Sequence, residues 1–217
     1  MAAEMPLEDD TAIDGAAVPE SAKRKQIIEG ARKVFFGRGF EAASMGEIAR
    51  AANVSKGTLY VYFDSKEALF SAIIEDSKRE TAEHALELDG DADIRTTLTA
   101  LAVRLMKKIS APQHVAIVRM VIGAAEKFPD LARTFYRAGP EQGARRLTEY
   151  LVAETARGRL DVSDPETAAW QFLGMCNHPT LIAVILAAQE RPDEARMQRF
   201  ADAAVTTFLA AYGPREA

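Results

Sequence analysis

The 217-residue sequence has little of what a disulfide, a metal centre or a membrane span requires. Its single cysteine, Cys176, excludes a disulfide within the chain. The three histidines, His84, His114 and His178, are too far apart in sequence to form a recognisable metal-binding motif. The longest uncharged apolar-rich stretch, around 181–188, is far too short to span a bilayer. We therefore expect no metal, no other cofactor and no membrane partner.

Signals for export and for catalysis are also missing. The N-terminus lacks a basic segment followed by an apolar one, which predicts a cytoplasmic protein. There is no Gly-x-Ser-x-Gly segment, no phosphate-binding loop and no His/Glu metal spacing. Cys176 and His178 are close in sequence but have no evident third partner for nucleophilic catalysis. A helical enzyme, for example a hydrolase, is therefore an alternative function that the sequence supports only weakly.

Strand-like alternation of apolar and polar residues is not convincing anywhere, whereas helical periodicity dominates from Ser21 onward. Ile27, Ala31, Val34 and Phe35, for instance, repeat at i, i+4, i+7 and i+8. Breaks rich in Gly, Pro, Asn and Asp divide the rest of the chain into about nine or ten helices. The pattern predicts an all-α protein.

Charge is segregated along the chain, although the net charge is −5. Residues 1–22 carry six acids and no bases, whereas residues 23–66 carry nine bases against four acids. The first 20 residues show no apolar periodicity, which predicts a disordered acidic tail. The basic segment is where a polyanion such as DNA would bind. It therefore argues against a further alternative, a helical interaction module that no longer binds DNA.

Turn and cap residues predict the first helix of the basic segment and the start of the second. The first helix, roughly 21–38, would end with Gly39 in a left-handed conformation and Phe40 folding back onto it. The second opens with the sequence Ser44-Met45-Gly46-Glu47, which is a capping box. It closes at Asn53, a residue that tolerates a left-handed backbone.

The third helix, about 56–62, is capped by Ser55 and completes a helix-turn-helix. The small core of this motif is Ile48, Ala49, Ala52, Val54 and Leu59. Free amides at the start of the third helix suit a phosphate, Gly57 lets the backbone approach it, and Lys56 adds positive charge. Thr58, Tyr60 and Tyr62 supply hydroxyls for phosphates or base edges. Tyr62 is equally well explained as a packing residue.

Two further basic features flank the motif. Lys66, at the capping-box-like start of a long fourth helix, is placed to contact a phosphate, although an ordinary surface lysine also explains it. The run 23–25, Lys-Arg-Lys, is either a solvated helix start or a basic arm that grips the DNA backbone.

Residues 22–70 resemble the DNA-binding domain of the tetracycline-repressor (TetR) family. The segment IIEGARKVFFGRGFEAASMGEIARAANVSKGTLYVYFDSKEALF matches the family pattern almost throughout, in order and in spacing. The resemblance implies a homodimer with a helix-turn-helix DNA-binding domain at 21–66 and a helical ligand-binding and dimerisation domain at 67–217. By motif position it implies phosphate or base contacts from Ser44, Ser55, Lys56, Gly57, Thr58, Tyr60, Tyr62 and Lys66.

Two residues depart from the family pattern. Gly46 stands where some members carry a base-reading side chain, and Val61 replaces the polar or aromatic residue often found between the two tyrosines. Base reading is therefore expected to depend more on Lys56, Thr58 and Tyr60.

The C-terminal two-thirds contain further apolar stripes. Ile94, Leu98, Leu101, Leu105 and Ile109 predict one buried face, and Val115, Val118 and Ile122 predict another. Two late helices, starting near Pro165 and Asp193, are rich in small residues, which permit close crossing. These residues are Ala168, Ala169, Gly174, Ala183 and Ala187 on the first helix, and Ala203, Ala204, Ala210 and Ala211 on the second. The family resemblance assigns dimerisation to these helices. Pro179 is expected to kink the first or to split it after His178.

Methionine and aromatic side chains in the same region suit an adaptable, apolar ligand pocket. The candidates are Met106, Met120, Phe128, Tyr136, Trp170, Phe172, Met175 and His178. Each of them alone is more simply explained as a core residue. With the resemblance, they predict a ligand-responsive regulator, usually a repressor in this family, that binds a palindromic operator in double-stranded DNA. A ligand-independent regulator is the alternative.

Overall fold

The computed structural model describes residues 20–82, 88 and 92–214. Over these residues the chain forms eleven α-helices, two π-helical segments and no strand, which confirms the all-α prediction. The α-helices are α1 (Glu20–Ala42), α2 (Met45–Ala51), α3 (Lys56–Tyr62), α4 (Lys66–Ala82), α5 (Ile94–Ile109), α6 (Pro112–Ala124), α7 (Pro129–Tyr136), α8 (Gln142–Ala156), α9 (Pro165–Asn177), α10 (Ala183–Ile185) and α11 (Glu194–Tyr212). The π-helical segments are Arg137–Glu141 and His178–Ile182. Apart from Glu20, the predicted tail lies outside the described residues.

The boundaries of α2 and α3 follow from their caps. The Oγ of Ser44 accepts a hydrogen bond from the backbone N–H of Glu47 at 3.3 Å, and the Glu47 carboxylate accepts one from the Ser44 N–H at 3.2 Å. The predicted capping box therefore forms. Asn53 has a φ of 51°, as its position in the turn requires. Ser55 caps α3 by accepting from the Thr58 N–H at 3.0 Å.

Helix α1 changes direction at Gly39, where φ is 79° and ψ is 163°. A positive φ favours glycine because this residue has no Cβ to clash with the backbone. The next residue, Phe40, is buried and its ring lies 5.3 Å from that of Phe35. The predicted end of the first helix is confirmed, and three more helical residues follow the bend.

Two large hydrophobic clusters hold the described residues together. The first cluster contains residues of the first four helices and of α6 and α7, among them Ile27, Phe35, Leu59, Ile117 and Leu131. It therefore extends beyond the N-terminal segment 21–66 into the rest of the chain. The second cluster joins α5, α8, α9 and α11, through residues that include Leu98, Leu147, Phe172 and Phe208.

The prediction for the buried face of α6 is wrong at Ile122, which is 61% exposed. Val115 and Val118 are buried as predicted, but the face that contributes to the first cluster consists of Ile117, Met120, Val121 and Ala124. Because α6 packs against α1, α7, α10 and α5, apolar residues cover more of its circumference than one stripe, and Ile122 is left exposed.

The two late helices begin where they were predicted, after the caps Asp164 and Asp193. Several of their small residues do not face outward, however. Ala168, Ala169 and Ala204 are buried in the second cluster of their own subunit. Helix α9 ends at Asn177, and the π-helical segment that follows contains Pro179. Proline has no N–H to continue the α-helical hydrogen bonds.

A close contact between α1 and α2 yields a stability prediction. A Cβ added at Gly30 would lie 2.6 Å from the Cβ of Ala52 and 2.7 Å from its backbone N. We expect Gly30→Ala to lower the free energy of unfolding by about 1–3 kcal/mol, because the helices must separate to make room. The measurement is urea unfolding followed by far-UV circular dichroism at one protein concentration.

Gly37→Ala is the matched control in the same helix, since a Cβ there would meet nothing within 4 Å. Its stability should be unchanged or higher by up to about 1 kcal/mol, because alanine favours the helix. Equal stability of the two variants would contradict a close α1–α2 approach.

Candidate nucleic-acid interface

The helix-turn-helix is held rigid by a small apolar core. Ile48 and Ala49 on α2 and Leu59 on α3 are buried, and so is Ala52 in the turn between the two helices. The side-chain amide of Gln26 on α1 donates to the Ala52 carbonyl at 2.6 Å, which fixes this turn to α1. These contacts leave one side of α3 facing outward from the protein.

The outward side of α3 combines charge, a phenol and an apolar side chain. Lys56 is exposed, Tyr60 is 53% exposed and Val61 is 81% exposed. Tyr62 is half-buried and packs against the first cluster. Val61 replaces a polar or aromatic residue of the family pattern, yet its exposure places a branched apolar group where a thymine methyl group can be contacted.

The hydroxyls of Ser55 and Thr58 are hydrogen-bonded to each other, with 2.8 Å between their oxygens. Ser55 Oγ also accepts from the Thr58 N–H. Both residues thus build the first turn of α3 whether or not DNA is present. Hydroxyl oxygens accept more than one hydrogen bond and one of the two O–H groups is not used in this pair, so a phosphate contact by this turn is compatible with the cap.

Two glycines shape the space around Lys56. A Cβ at Gly57 would meet only Ser55 Oγ, at 3.8 Å, so packing does not require a glycine there and the bare backbone remains open to an anion. A Cβ at Gly46 would lie 2.9 Å from Lys56 Cε and 3.3 Å from its Nζ. The lysine side chain therefore lies across Gly46 and occupies the space that a larger residue on α2 would take.

The groove between α2 and α3 has a volume of about 420 Å³ and collects several of the predicted contacts. It is lined by Ser44, Gly46, Ala49, Arg50, Val54 and Lys56. Arg50 is exposed and is not among the residues that the motif predicts. The sequence signal for Arg50 is its position as a basic residue in the last turn of α2, the helix next to the predicted DNA-contacting helix α3. Ser44, Lys56 and Arg50 thus share one surface.

Lys66 has contacts within the protein. Its Nζ donates to the carbonyls of Phe40 at 3.0 Å and Glu41 at 3.1 Å, near the end of α1. The same ammonium lies 4.8 Å from the Phe40 ring centroid and 5.4 Å from that of Phe128. The residue therefore ties the start of α4 to the end of α1, and one of its three N–H groups is left for a phosphate.

The basic run at the start of α1 lies beside the motif. The Arg24 guanidinium lies 5.4 Å from the ring centroid of Phe63, the residue that ends α3. Lys23 donates to Gln26 at 3.1 Å, and Lys25 is exposed. The run is thus anchored next to α3 and contributes positive charge there.

The predicted ligand residues are divided between the two hydrophobic clusters and the surface. Met106 and Phe172 are buried in the second cluster and Met175 packs against it, whereas Met120 and Phe128 belong with the first cluster. The rings of Tyr136 and Trp170 stack at the surface, with 6.3 Å between centroids and 10° between planes. His178 is exposed. Only Tyr136 and Trp170 are brought together outside a hydrophobic core.

The part of the chain that the structure describes shows neither a metal-binding cluster nor a reactive cysteine. No three His, Cys, Asp or Glu residues converge there to hold a metal ion. Burial raises the pKa of the Cys176 thiol to about 12, so the thiol is protonated and unreactive at neutral pH. Within the same residues no helix is both long and apolar enough to cross a membrane.

A helix-turn-helix with a basic, exposed second helix defines a DNA-binding protein. Residues 27–73 match the family described as bacterial regulatory proteins, tetR family. Residues 96–214 match the C-terminal domain described as that of an AefR-like transcriptional repressor. The chain belongs to the TetR family of transcriptional regulators, and it is a regulator and not an enzyme.

Similar proteins agree along most of the chain. The A-factor receptor protein of Streptomyces griseus is 28% identical over 209 residues, which cover 81% of this chain and 74% of that protein. The regulator SrpR of Pseudomonas putida is 32% identical over 155 residues, covering 70% of each. A TetR-family regulator from Mesorhizobium loti has a similar structure, with a TM-score of 0.81 at 30% identity, covering 90% of this chain and 99% of that one. The flavonoid-responsive regulator FrrA has a TM-score of 0.79 at 34% identity, covering 90% of this chain and 100% of that one.

The capping box of α2 predicts a pH-dependent contribution to stability. The hydrogen bond from Ser44, and then the charge of Arg38, lower the pKa of Glu47 from its ordinary value of 4.5. Because the folded-state pKa is the lower one, this stabilisation is complete above about pH 4.5 and is lost as the pH falls through the folded value. Ser44→Ala should lower the free energy of unfolding at pH 7 by about 1 kcal/mol, and the loss should shrink toward pH 3.5.

Ser55→Ala is the control, because α3 has no acidic residue in its first turn. Its effect should stay the same over that pH range. Urea unfolding of both variants and the unsubstituted protein at several pH values makes the comparison. A loss in Ser44→Ala that does not depend on pH would refute the role given to the carboxylate.

Proposed function

We propose that this chain is a repressor that binds a palindromic operator as a homodimer and is released from it by a small, largely apolar molecule. The observation that carries the DNA-binding part is the exposed side of α3, where Lys56, Tyr60 and Val61 project from a rigidly capped helix. The matching C-terminal family is named for a transcriptional repressor, which supports repression of transcription over activation. A protein that acts on DNA in this way works in the cytoplasm of a bacterial cell.

In the proposed complex each α3 enters the major groove. The two helices of a dimer would reach successive grooves about 34–36 Å apart on one face of the duplex, which explains a palindromic operator. Phosphates would be held by the first turn of α3 around Gly57, by Lys56 and by Arg50. Tyr60 and Val61 would read base edges, with the hydroxyls of Thr58 and Tyr62 beside them. Ser44, Ser55 and Lys66 would contribute phosphate contacts at the edges of this surface.

Single substitutions on α3 test this arrangement. Lys56→Ala and Tyr60→Ala should each weaken operator binding at least about tenfold, because they remove contacts made only with DNA. Lys56→Ala should also reduce by about one the slope of log affinity against log salt concentration. The operator is located by footprinting on the DNA that flanks the gene of this protein, and affinity is then measured by fluorescence anisotropy.

Lys107→Ala is the control for the loss of a positive charge, because Lys107 lies on α5 and pairs with Glu194 at 2.7 Å. This variant should bind the operator as the unsubstituted protein does. Circular dichroism checks that all three variants are folded. Operator affinity and salt dependence unchanged in both α3 variants would rule out α3 as the helix that reads DNA.

The outer faces of the two late helices support a dimer interface. On the segment from α9 to α10, Trp170, Gly174, Ile182 and Leu186 are exposed and are spaced by multiples of four residues. On α11 the exposed residues include Ala203, Thr207, Ala210 and Ala211, which are small. A small-residue helix face beside an apolar one is suited to close packing in a four-helix interface between two subunits.

Charge placed on this face should prevent dimerisation. Ala203→Glu is expected to give monomers at micromolar concentration, since two subunits would bury two carboxylates without partners. Sedimentation velocity measures the change, and the emission of Trp170, the single tryptophan, should shift to the red as the residue becomes exposed to water. The equivalent change at an exposed position of α8, Val152→Glu, should leave the dimer intact. A dimeric Ala203→Glu protein would place the interface elsewhere.

Control by a ligand is the remaining part of the proposal. A relative of similar structure is named as flavonoid-responsive, and another similar protein is named as a receptor. In this chain the first cluster links the DNA-binding helices to α6 and α7, so a ligand that shifts these helices would change the separation of the two α3 helices. To move the equilibrium between the DNA-binding and the released conformation from 1:99 to 99:1, the ligand must bind the released one more tightly by about 5.5 kcal/mol.

A further inference from the structure

Basic side chains continue from the surface of α2 and α3 onto α1. Two grooves lie side by side there, the one between α2 and α3 described above and another, of about 630 Å³, between α1 and α2. Arg50 lines both grooves, so they form one continuous surface with Lys33 at one end and Lys56 at the other. We call this surface the basic groove. The groove between α1 and α2 is lined by Lys33, Val34, Gly37, Arg38, Glu47, Arg50 and Ala51.

The described part of the chain does not compensate the charge of the basic groove. Glu47, the one acid that lines it, is already paired with Arg38. Lys33, Arg50 and Lys56 are exposed and form no ion pair with a described residue. Three positive charges are thus left for a partner, which is the DNA backbone in the complex proposed above.

A negatively charged segment comes directly before this surface in the sequence. Residues 1–19, which lie outside the described residues, carry five acids and no base. An aliphatic residue precedes the acids in two places, Leu7-Glu8-Asp9-Asp10 and Ile13-Asp14. The basic groove also combines the two kinds of side chain, since Val34 and Val54 lie among its bases. The charge and the apolar residues of the two segments are therefore complementary.

The place where this segment joins α1 is close to α3. Arg24 is one helical turn after Glu20, and its guanidinium lies 5.4 Å from the ring centroid of Phe63 at the end of α3. Asp14 is six residues before Glu20 and Glu4 is sixteen, so an extended chain would carry them up to about 20 and 55 Å from it. Because a seven-residue helix such as α3 is only about 10 Å long, these acids can reach the basic groove.

We propose that the acidic tail, residues 1–19, occupies the basic groove when DNA is absent and competes with DNA for it. This inference rests on the proposed role of the surface around α3 in DNA binding. Carboxylates of the tail would take the places of phosphates beside Lys33, Arg50 and Lys56, and its aliphatic residues would contact the apolar parts of the groove. Because the tail belongs to the same chain, its effective concentration is on the order of millimolar, so a weak interaction is enough.

A competitor within the chain has a defined effect on affinity. It stabilises only the free protein, so it lowers the affinity for the operator and for an unrelated duplex by the same factor. The factor should decline as salt screens the charges of the tail and the groove.

Removal of the tail charges tests this competition. The substitutions Glu4→Gln, Glu8→Gln, Asp9→Asn, Asp10→Asn and Asp14→Asn are combined in the full-length protein, which gives the neutral-tail variant. At about 0.1 M salt this variant should bind the operator and an unrelated duplex at least about threefold more tightly than the unsubstituted protein does, by the same factor for both. For the operator the difference should disappear at about 0.5 M salt, where the charges are screened. Fluorescence anisotropy measures each affinity.

A second variant separates this competition from a general change in net charge. It removes the same number of negative charges at exposed positions outside the helix-turn-helix, by Glu126→Gln, Asp130→Asn, Glu141→Gln, Glu149→Gln and Glu190→Gln. At about 0.1 M salt the Debye length is about 10 Å, so charges farther than this from the DNA have little effect. The control variant should bind both duplexes within about twofold of the unsubstituted protein. Thermal unfolding checks that both variants are folded.

A nitroxide on the tail locates it directly, without DNA. Ala12→Cys can be labelled selectively, because Cys176 is buried and its pKa is raised to about 12. In nuclear magnetic resonance spectra the label should broaden the amide signals of Arg50, Lys56 and Tyr60 more than those of residues on α8. Addition of the operator should remove this broadening, and so should the neutral-tail substitutions in the labelled protein.

The inference is overturned if the label broadens the signals of the basic groove no more than those of α8, or if the neutral-tail variant binds DNA no more tightly than the control variant. Failure of the proposed function would look different, because the unsubstituted protein and both variants would then bind no operator at any salt concentration. Normal operator binding without broadening in the groove refutes the inference alone.

Discussion

The packing of α6 against α1 is the contact on which the rest of this structure depends. Ile117, Met120, Val121 and Ala124 of α6 are buried in the same cluster as the core of the helix-turn-helix. Lys66 adds a polar connection, since its ammonium binds two carbonyls near the end of α1 and lies over the rings of Phe40 and Phe128. The small core of the helix-turn-helix is therefore continuous with the buried face of α6, and a displacement of α6 would disturb it. This shared core gives a physical basis for control from a distant site.

The surface proposed to face DNA is built differently, from local interactions. Ser44 with Glu47 and Ser55 with Thr58 complete the first turns of α2 and α3, and Asn53 allows the sharp turn between them. The result is a short, rigid helix whose exposed side chains need no rearrangement to meet a groove. Lys56 rests against the vacant side of Gly46, so one departure from the family pattern is explained by the neighbour that fills its space.

Charge differs between the N-terminal helices and the rest of the chain. The N-terminal helices present Lys56, Arg50 and Lys25 to the outside, where a polyanion can displace water and counterions. In the C-terminal part several basic residues pair with acidic ones instead, for example Lys107 with Glu194 and Arg145 with Glu149.

The sequence by itself determined the all-α class, the limits of α2 and α3, the left-handed turn at Asn53 and the starts of the late helices. These features depend on residues within four positions of each other, so short-range sterics and hydrogen bonds decide them. The sequence also predicted much of the buried face of α5, but the tertiary structure decided the burial of individual residues such as Ile122 and Ala168. It also decided the partners of Lys66, which are the end of α1 and the ring of Phe128 just before α7. Those contacts join distant segments, and no local periodicity specifies how helices are placed against one another.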